Sequence, residues 1–313
     1  MRAAVNVGPS GSALAVLRNE GGLLLSLACA SALFVLAASV CADDGPKTPP
    51  RDKGAADPQG GIKLGIGFLW TAQSQHAAGR LTSDKDFVDL ILGPGRLDVF
   101  EKVKPPVRVA CIALSLEKNE ARPFLGVKET IDLLRKTGIA PERVIIAYNP
   151  ERHPGTPTQE VDDLVGNARR AGEMARAYGA PLLIGPGLKE MGQREHLYPE
   201  LAKHCQIWMI QSQRLQLDAD TRKPVDPAEY RAKVKRIVDS LRQGNPEIRI
   251  FVQIVTTAER QKTVLTAEQI AAFALAIEDL VDAVRIYGAS GELLGQIIER
   301  LRPESKSVRT GTR

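Results

Sequence analysis

The sequence is poor in aromatic side chains and has no dense cluster of basic residues. Phe, Trp and Tyr together make up 4% of the 313 residues, and 42 Lys and Arg against 37 Asp and Glu give a net charge of +5. The basic residues are spread along the chain and nowhere reach the density of a nucleic-acid-binding patch. We therefore expect no nucleic-acid partner.

Several motifs that bind metals or cofactors are also absent. The four cysteines form no CxxC pair, the four histidines have no HExxH spacing, and neither GxGxxG nor a P-loop follows the first predicted strand. We therefore expect no metal ion and no cofactor. Cys111 and Cys205 lie in or beside apolar segments, which predicts buried free thiols, with a disulfide between them as the alternative.

The N-terminal 42 residues have the pattern of a secretory signal peptide. Arg2 and Arg18 precede the uninterrupted apolar segment 23–40, and Ala42 stands immediately before the predicted cleavage point. A segment of this length could also span a membrane as an uncleaved anchor. We expect export to the periplasm or the medium after cleavage behind Ala42, with anchoring through residues 23–40 as the alternative.

The remaining chain divides into one patterned region and two polar ends. Residues 43–61 and 303–313 are rich in proline, glycine or charge, which predicts a disordered linker and a flexible tail. Between them, over residues 62–302, short apolar segments alternate with segments of helical periodicity. The predicted strands are 63–70, 88–93, 107–116, 143–149, 180–185, 206–213, 248–255 and 282–288.

This alternation predicts an α/β fold with a parallel sheet that is covered by helices. Eight strand–helix units in about 240 residues are typical of a single (β/α)8, or TIM-barrel-like, domain. The second strand is ambiguous, because residues 83–92 also fit a helix that ends at Gly93, in which case seven strands would remain. An open doubly wound sheet is the alternative architecture.

Functional residues of such barrels lie where the strands end. The fourth predicted strand ends in Tyr148-Asn149-Pro150-Glu151, and Pro150 terminates it by withholding a backbone donor. Glu151 is thus expected in the barrel mouth, where a carboxylate with a raised pKa acts as a general acid or base. The alternative is a structural carboxylate in an ion pair. Glu117, after the third strand, is a second candidate.

Glutamines near the ends of the sixth and seventh strands give a further signal. Gln211 and Gln213 are two residues apart and face the same side, whereas Gln253 interrupts an apolar strand. A buried amide needs hydrogen-bonding partners, and an amide both donates and accepts. The three side chains are expected either to bind the hydroxyl groups of a sugar or to bind one another.

Together, the signal segment, the eight predicted strands, the YNPE segment and the strand ends IQSQ and VQIVT resemble secreted glycoside-hydrolase-like barrels. The resemblance is architectural and covers roughly residues 62–302. It implies that Glu151 is the catalytic acid and that aromatic residues of the loops stack on sugar rings. The expected substrate-binding residues are Trp70, Tyr148, Asn149, Gln211, Gln213, Gln253 and Tyr287.

One departure keeps other functions open. Glycosidases generally use two carboxylates, whereas the later strand ends carry glutamine. Hydrolysis would then be assisted by the substrate with Glu151 alone, or the barrel binds a small polar ligand without catalysis. A third function, that of a phosphate-dependent lyase or isomerase, would use the glycine-rich segment around Ser290, at the start of the last helix.

Overall fold

The computed structural model describes the chain from Leu64 onward, in residues 64–118, 124–153, 156–258, 263–289 and 291–302. The expected signal peptide 1–42, linker 43–61 and tail 303–313 lie outside these described residues and stay predictions. No helix within the described ranges is long and apolar enough to cross a membrane.

Within the described residues, eight parallel strands close into a barrel in which each strand pairs with two neighbours. The barrel strands are β1 Gly65–Leu69, β2 Phe87–Leu90, β3 Arg108–Ala113, β4 Val144–Tyr148, β5 Leu182–Ile184, β6 Ile207–Gln211, β7 Arg249–Val255 and β10 Ala283–Tyr287. The short strands β8 Thr257–Ala258 and β9 Thr263–Val264 form a separate antiparallel pair. The predicted α/β barrel is confirmed, and β2 is a strand rather than a helix.

Helices cover the outside of the barrel between these strands. They are α1 Val99–Lys102, α2 Val127–Lys136, α3 Thr158–Asp162, α4 Leu164–Tyr178, α5 Leu188–Met191, α6 Tyr198–Ala202, α7 Pro227–Gly244, α8 Ala267–Ala276 and α9 Gly291–Leu301. Helical periodicity runs through residues 161–179, but the helix is divided between α3 and α4 at Asp163, whose carboxylate accepts a hydrogen bond from the Gly166 amide at 3.0 Å. The helix then ends at Gly179, which has φ of +91°.

The alternating strand residues form two apolar layers. One layer packs between the strands and the helices, and the other fills the barrel interior. Inside, the Phe87 ring stacks on Phe251 with centroids 4.8 Å apart. A Cβ atom at Gly67 would lie 2.3 Å from the Phe87 ring. The glycine therefore makes room for this ring, which closes the interior below the strand ends.

Both cysteines of the barrel are buried and free. Burial raises the pKa of Cys111 to about 12 and that of Cys205 still further above its usual range. Both thiols are therefore protonated and shielded, which agrees with the free-thiol expectation.

An ion pair between the buried Asp86 and the partly buried Arg302 joins the N-terminal ends of β1 and β2 to the end of α9. Arg302 donates to both oxygens of Asp86, at 2.6 and 2.7 Å. The same carboxylate accepts hydrogen bonds from the backbone amides of Ile66, Thr82 and Ser83 at 2.8–2.9 Å. Both oxygens of Asp86 thus have all their hydrogen-bonding partners, and the pair links β1, β2 and the end of α9 at the N-terminal end of the barrel.

Candidate functional site

A cavity lies among the C-terminal ends of the barrel strands. Its volume is about 30 Å³, room for about two groups of the size of a water molecule. Its polar lining comes from Asp89, Asn149, Gln211 and Arg285. Its apolar lining comes from Phe87, Ala110, Ile112, Ala147, Leu183 and Met209. A mainly apolar cavity with a few convergent polar groups is the usual form of a ligand site.

Glu151 lies at the edge of this cavity, in the loop that follows β4. Its Oε1 atom accepts a hydrogen bond from Asn149 Nδ2 at 3.1 Å and a second from Gln211 Nε2. Its Oε2 atom accepts no hydrogen bond from any residue that the structure describes. The carboxylate is half-buried, and Asn149 and Gln211 hold one of its oxygens in place.

The three predicted glutamines form one chain of hydrogen bonds. Gln211 Nε2 also lies within hydrogen-bonding distance of Asn149 Oδ1, at 3.0 Å, and of the Gly185 carbonyl, at 2.7 Å, so its two hydrogens are shared among three acceptors. Gln213 donates to Gln211 Oε1, and Gln253 donates to Gln213 Oε1, each at 3.3 Å. The amides therefore bind one another, one of the two expected arrangements, and they fix the side of the cavity next to Glu151.

Asp89 and Arg285 extend this chain, and sequence reasoning missed both. Arg285 donates to Gln253 Oε1 and forms an ion pair with Asp89 Oδ2. Gln211, Gln253 and Arg285 occupy the same level on neighbouring strands, because Gln211 pairs with Gln253 and Gln253 with Arg285. Burial raises the pKa of Asp89, and the positive charge of Arg285 opposes this rise.

The predicted aromatic residues differ in their placement. Tyr287 is 40% exposed, and its ring lies over the Arg285 guanidinium, with 4.9 Å from Cζ to the centroid. Trp70 and Tyr148 are buried in the outer apolar layer. Along β4, Tyr148 lies on the same face as Val144 and Ile146, so its side chain points away from the barrel interior and toward the helices. The structure therefore brings Tyr287, but neither Trp70 nor Tyr148, to the cavity mouth.

Tyr148 instead belongs to a second polar cluster outside the barrel. Its hydroxyl donates to Glu160 Oε2 at 2.8 Å, and the same carboxylate accepts from the Leu116 amide at 2.9 and 3.1 Å. Burial raises the pKa of Glu160. Glu117 is exposed and lines a separate cleft together with Glu160 and Arg170. This cleft shares no lining residue with the barrel cavity, so Glu117 and Glu151 are not brought together.

Two other expectations concern ions. The described part of the chain contains no group of three or more His, Cys, Asp or Glu residues that could hold a metal ion. Ser290, the centre of the phosphate-binding alternative, lies outside the described residues. The phosphate-dependent alternative therefore stays a prediction.

Comparison with known proteins gives a likeness in fold. No family model and no curated protein matches the sequence. The spore cortex-lytic enzyme SleL of Bacillus megaterium is 11% identical, with 79% of this chain and 75% of that chain covered and a TM-score of 0.51. A chitinase from Chromobacterium violaceum is 9% identical, with 76% and 98% covered and a TM-score of 0.51.

The chain has the closed (β/α)8-barrel fold, which it shares with these two enzymes. This confirms the architectural resemblance that the sequence indicated and assigns no individual family. At these low identities the comparison concerns the fold, and function has to be argued from the site itself.

Proposed function

We propose that this protein acts on a carbohydrate, such as a cell-envelope glycan, at the C-terminal mouth of its barrel, with Glu151 as the general acid and base. The observation that carries the proposal is the asymmetric environment of the Glu151 carboxylate. Asn149 and Gln211 fix one oxygen, while the other has no partner among the described residues. A catalytic carboxylate needs this combination of fixed orientation and a free oxygen at the reacting bond.

In the proposed reaction, Glu151 gives its proton to the glycosidic oxygen as the bond to the anomeric carbon breaks. With Glu117 in another cleft, the nucleophile is a group of the substrate, such as the acetamido oxygen of an N-acetylated sugar, which attacks the anomeric carbon. Glu151 then takes a proton from the water that opens this intermediate. The exposed ring of Tyr287 offers a stacking surface for a sugar at the mouth.

The test is the release of reducing ends from chitin oligosaccharides and peptidoglycan by the wild-type protein and by Glu151→Gln. We expect the substitution to lower the rate by at least about 100-fold, the lower range for general acid catalysis, without lowering the melting temperature. Glu142→Gln is the matched control, because Glu142 is exposed just before the opposite end of β4. Equal rates for wild type and Glu151→Gln would contradict the proposal.

A second candidate is a barrel that binds a sugar without cleaving it. The hydrogen-bonded amides favour it, since Gln211 already engages the Oε1 atom of Glu151. A wild-type protein that shows a thermal shift with a glycan but no hydrolysis would support this candidate. If no glycan gives either response, both carbohydrate functions fail.

Export is part of the proposal and rests on the sequence of residues 1–42. Mass spectrometry of the protein from fractionated cells tests it directly. A mature chain that begins at Asp43, outside the cytoplasm, is the expected result. A full-length chain in the membrane fraction would support anchoring by residues 23–40 instead.

A further inference from the structure

The Asp89–Arg285 ion pair carries two buried atoms that have no hydrogen-bonding partner among the described residues. They are Asp89 Oδ1 and Arg285 Nε. The side chains are only 4% and 11% exposed. Buried polar atoms in folded proteins are almost always hydrogen-bonded, so each atom requires an explanation. Both residues line the barrel cavity, which places the unpaired atoms within a candidate ligand site.

The unpaired atoms are one acceptor and one donor with limited freedom to move. Arg285 is held through its two Nη atoms by Gln253 and Asp89, and its guanidinium lies under the Tyr287 ring. Asp89 is held through Oδ2. The groups left over are a carboxylate oxygen, which accepts, and the Nε–H group, which donates.

A hydroxyl group satisfies both atoms at once. It donates its hydrogen to Asp89 Oδ1 and accepts from Arg285 Nε through a lone pair. A carboxylate cannot donate to Asp89, and an ammonium group cannot accept from Arg285. The chemistry of the two atoms therefore requires a neutral group that both donates and accepts, and a hydroxyl is the group of this kind that a sugar carries in greatest number.

The charge of the cavity points to the same class of ligand. Asp89 and Arg285 neutralise one another, and the other polar side chains of the lining, Asn149 and Gln211, are uncharged amides. An additional charge would be buried beside apolar walls without a counterion, which is strongly unfavourable. A neutral ligand meets no such penalty.

We propose that the Asp89–Arg285 pair is a binding subsite for a hydroxyl group of a neutral sugar, which donates to Asp89 Oδ1 and accepts from Arg285 Nε. This inference rests on the proposed carbohydrate function and narrows its substrate class to neutral rather than acidic sugars. The Phe87 ring closes the cavity next to this subsite, so the hydroxyl enters from the mouth, where Tyr287 lies over Arg285, and the sugar ring itself stays at the mouth.

The experiment measures binding of glucose, N-acetylglucosamine and glucuronic acid by calorimetry. These monosaccharides contain no glycosidic bond between sugars, so binding is observed apart from hydrolysis. Arg285→Lys keeps the positive charge and removes the Nε donor, and Asp89→Asn keeps the size and removes the charged acceptor. We expect each substitution to weaken binding of a neutral sugar by at least about tenfold. Asp84→Asn, at an exposed aspartate of the preceding loop, is the control.

A second variant guards against a folding defect. Asp89→Leu combined with Arg285→Met replaces the pair with apolar side chains, a change that folded proteins generally tolerate. We expect it to retain the wild-type circular dichroism spectrum and to lose sugar binding. Deoxy analogues of the sugar that binds then identify the hydroxyl that occupies the subsite. An analogue without this hydroxyl binds the wild type more weakly than the parent sugar does, whereas Arg285→Lys binds the analogue and the parent sugar equally.

Each result decides a separate claim. If a neutral sugar binds the wild type and the substitutions change its affinity by less than about threefold, the subsite is wrong and the carbohydrate function stands. Tighter binding of glucuronic acid than of glucose also overturns the subsite. If no sugar binds and no glycan is hydrolysed, the proposed function fails and the subsite fails with it.

Discussion

Two aspartate–arginine pairs, each with a buried aspartate, lie at opposite ends of the barrel and differ in how completely they are hydrogen-bonded. Both oxygens of Asp86 are saturated by Arg302 and by backbone amides at the N-terminal end. Asp89, three residues later in the same segment, leaves Oδ1 unpaired, and its partner Arg285 leaves Nε unpaired. The same two residue types thus form a closed contact at one end and an open one at the other.

This difference matches the division of labour in barrels of this type. The N-terminal end of the strands generally serves stability, whereas the C-terminal end carries function. A saturated pair stabilises the fold because every polar atom has exchanged water for a protein partner. A pair with unpaired polar atoms can still form hydrogen bonds to a ligand. The number of hydrogen bonds that each pair already makes therefore distinguishes the stabilising pair from the ligand-binding pair.

The largest expected effect on stability comes from replacing the Asp86–Arg302 pair. We expect Asp86→Leu combined with Arg302→Met to lower the free energy of unfolding by about 3–5 kcal/mol, because the amides of Ile66, Thr82 and Ser83 lose their acceptor. The matching replacement of Asp89 and Arg285 should leave stability unchanged or raise it. Urea denaturation measures both. Equal losses for the two double variants would remove the distinction between the pairs.

A smaller effect is expected at the glycine that makes room for Phe87. In Gly67→Ala the new Cβ would lie 2.3 Å from the Phe87 ring, so the ring has to shift. We expect a loss of about 1–3 kcal/mol in the free energy of unfolding, together with weaker sugar binding, because Phe87 lines the cavity. Gly79→Ala is the control, since nothing lies within 4 Å of a Cβ at that position. If Gly67→Ala has the same denaturation midpoint as the wild type, this prediction is wrong.

The open pair also predicts a pH dependence. Burial raises the folded-state pKa of Asp89 above its ordinary value of 3.8, against the opposing charge of Arg285. Protonation of Asp89 therefore stabilises the folded state, and this contribution is complete below 3.8 and lost as the pH rises through the folded-state pKa. The unfolding free energy of the wild type relative to Asp89→Asn should fall across that range. A difference that increases with pH would contradict the raised pKa.

The smallest effect on stability is expected at Tyr287, whose ring lies over Arg285. Tyr287→Leu removes the cation–π contact with Arg285, which is worth about 0.5–1 kcal/mol at an exposed site. We expect a loss of this size in stability and a several-fold weaker affinity for a neutral sugar. Thermal denaturation and calorimetry give the two values. A sugar affinity that stays at the wild-type value would place the ligand away from Tyr287.

The sequence predicted the barrel well because each strand is a short apolar segment between helical segments. Even the ambiguous β2 follows from alternation, since Phe87 faces the interior and Val88 and Leu90 face the helices. The same rule places Tyr148 outside the barrel, although its position at a strand end led to the expectation of a sugar platform. Facing direction, and not only distance from the strand end, decides which side chain reaches the cavity.

The polar subsite was harder to predict. Asp89 and Arg285 interrupt apolar strands just as Gln253 does, and this is a signal that the sequence contains. Their contact, however, joins β2 to β10 across β1, and it depends on the closure and register of the barrel. Sequence periodicity gives the face of a residue but not its partner on a distant strand.

The most direct test of the account is a crystal structure of the Glu151→Gln variant with a neutral chitin oligosaccharide. We expect one sugar at the mouth of the barrel cavity, with a hydroxyl within about 3.2 Å of both Asp89 Oδ1 and Arg285 Nε and a glycosidic oxygen next to the side chain at position 151. An oligosaccharide bound elsewhere on the barrel, or only water in the cavity at saturating oligosaccharide, would contradict it.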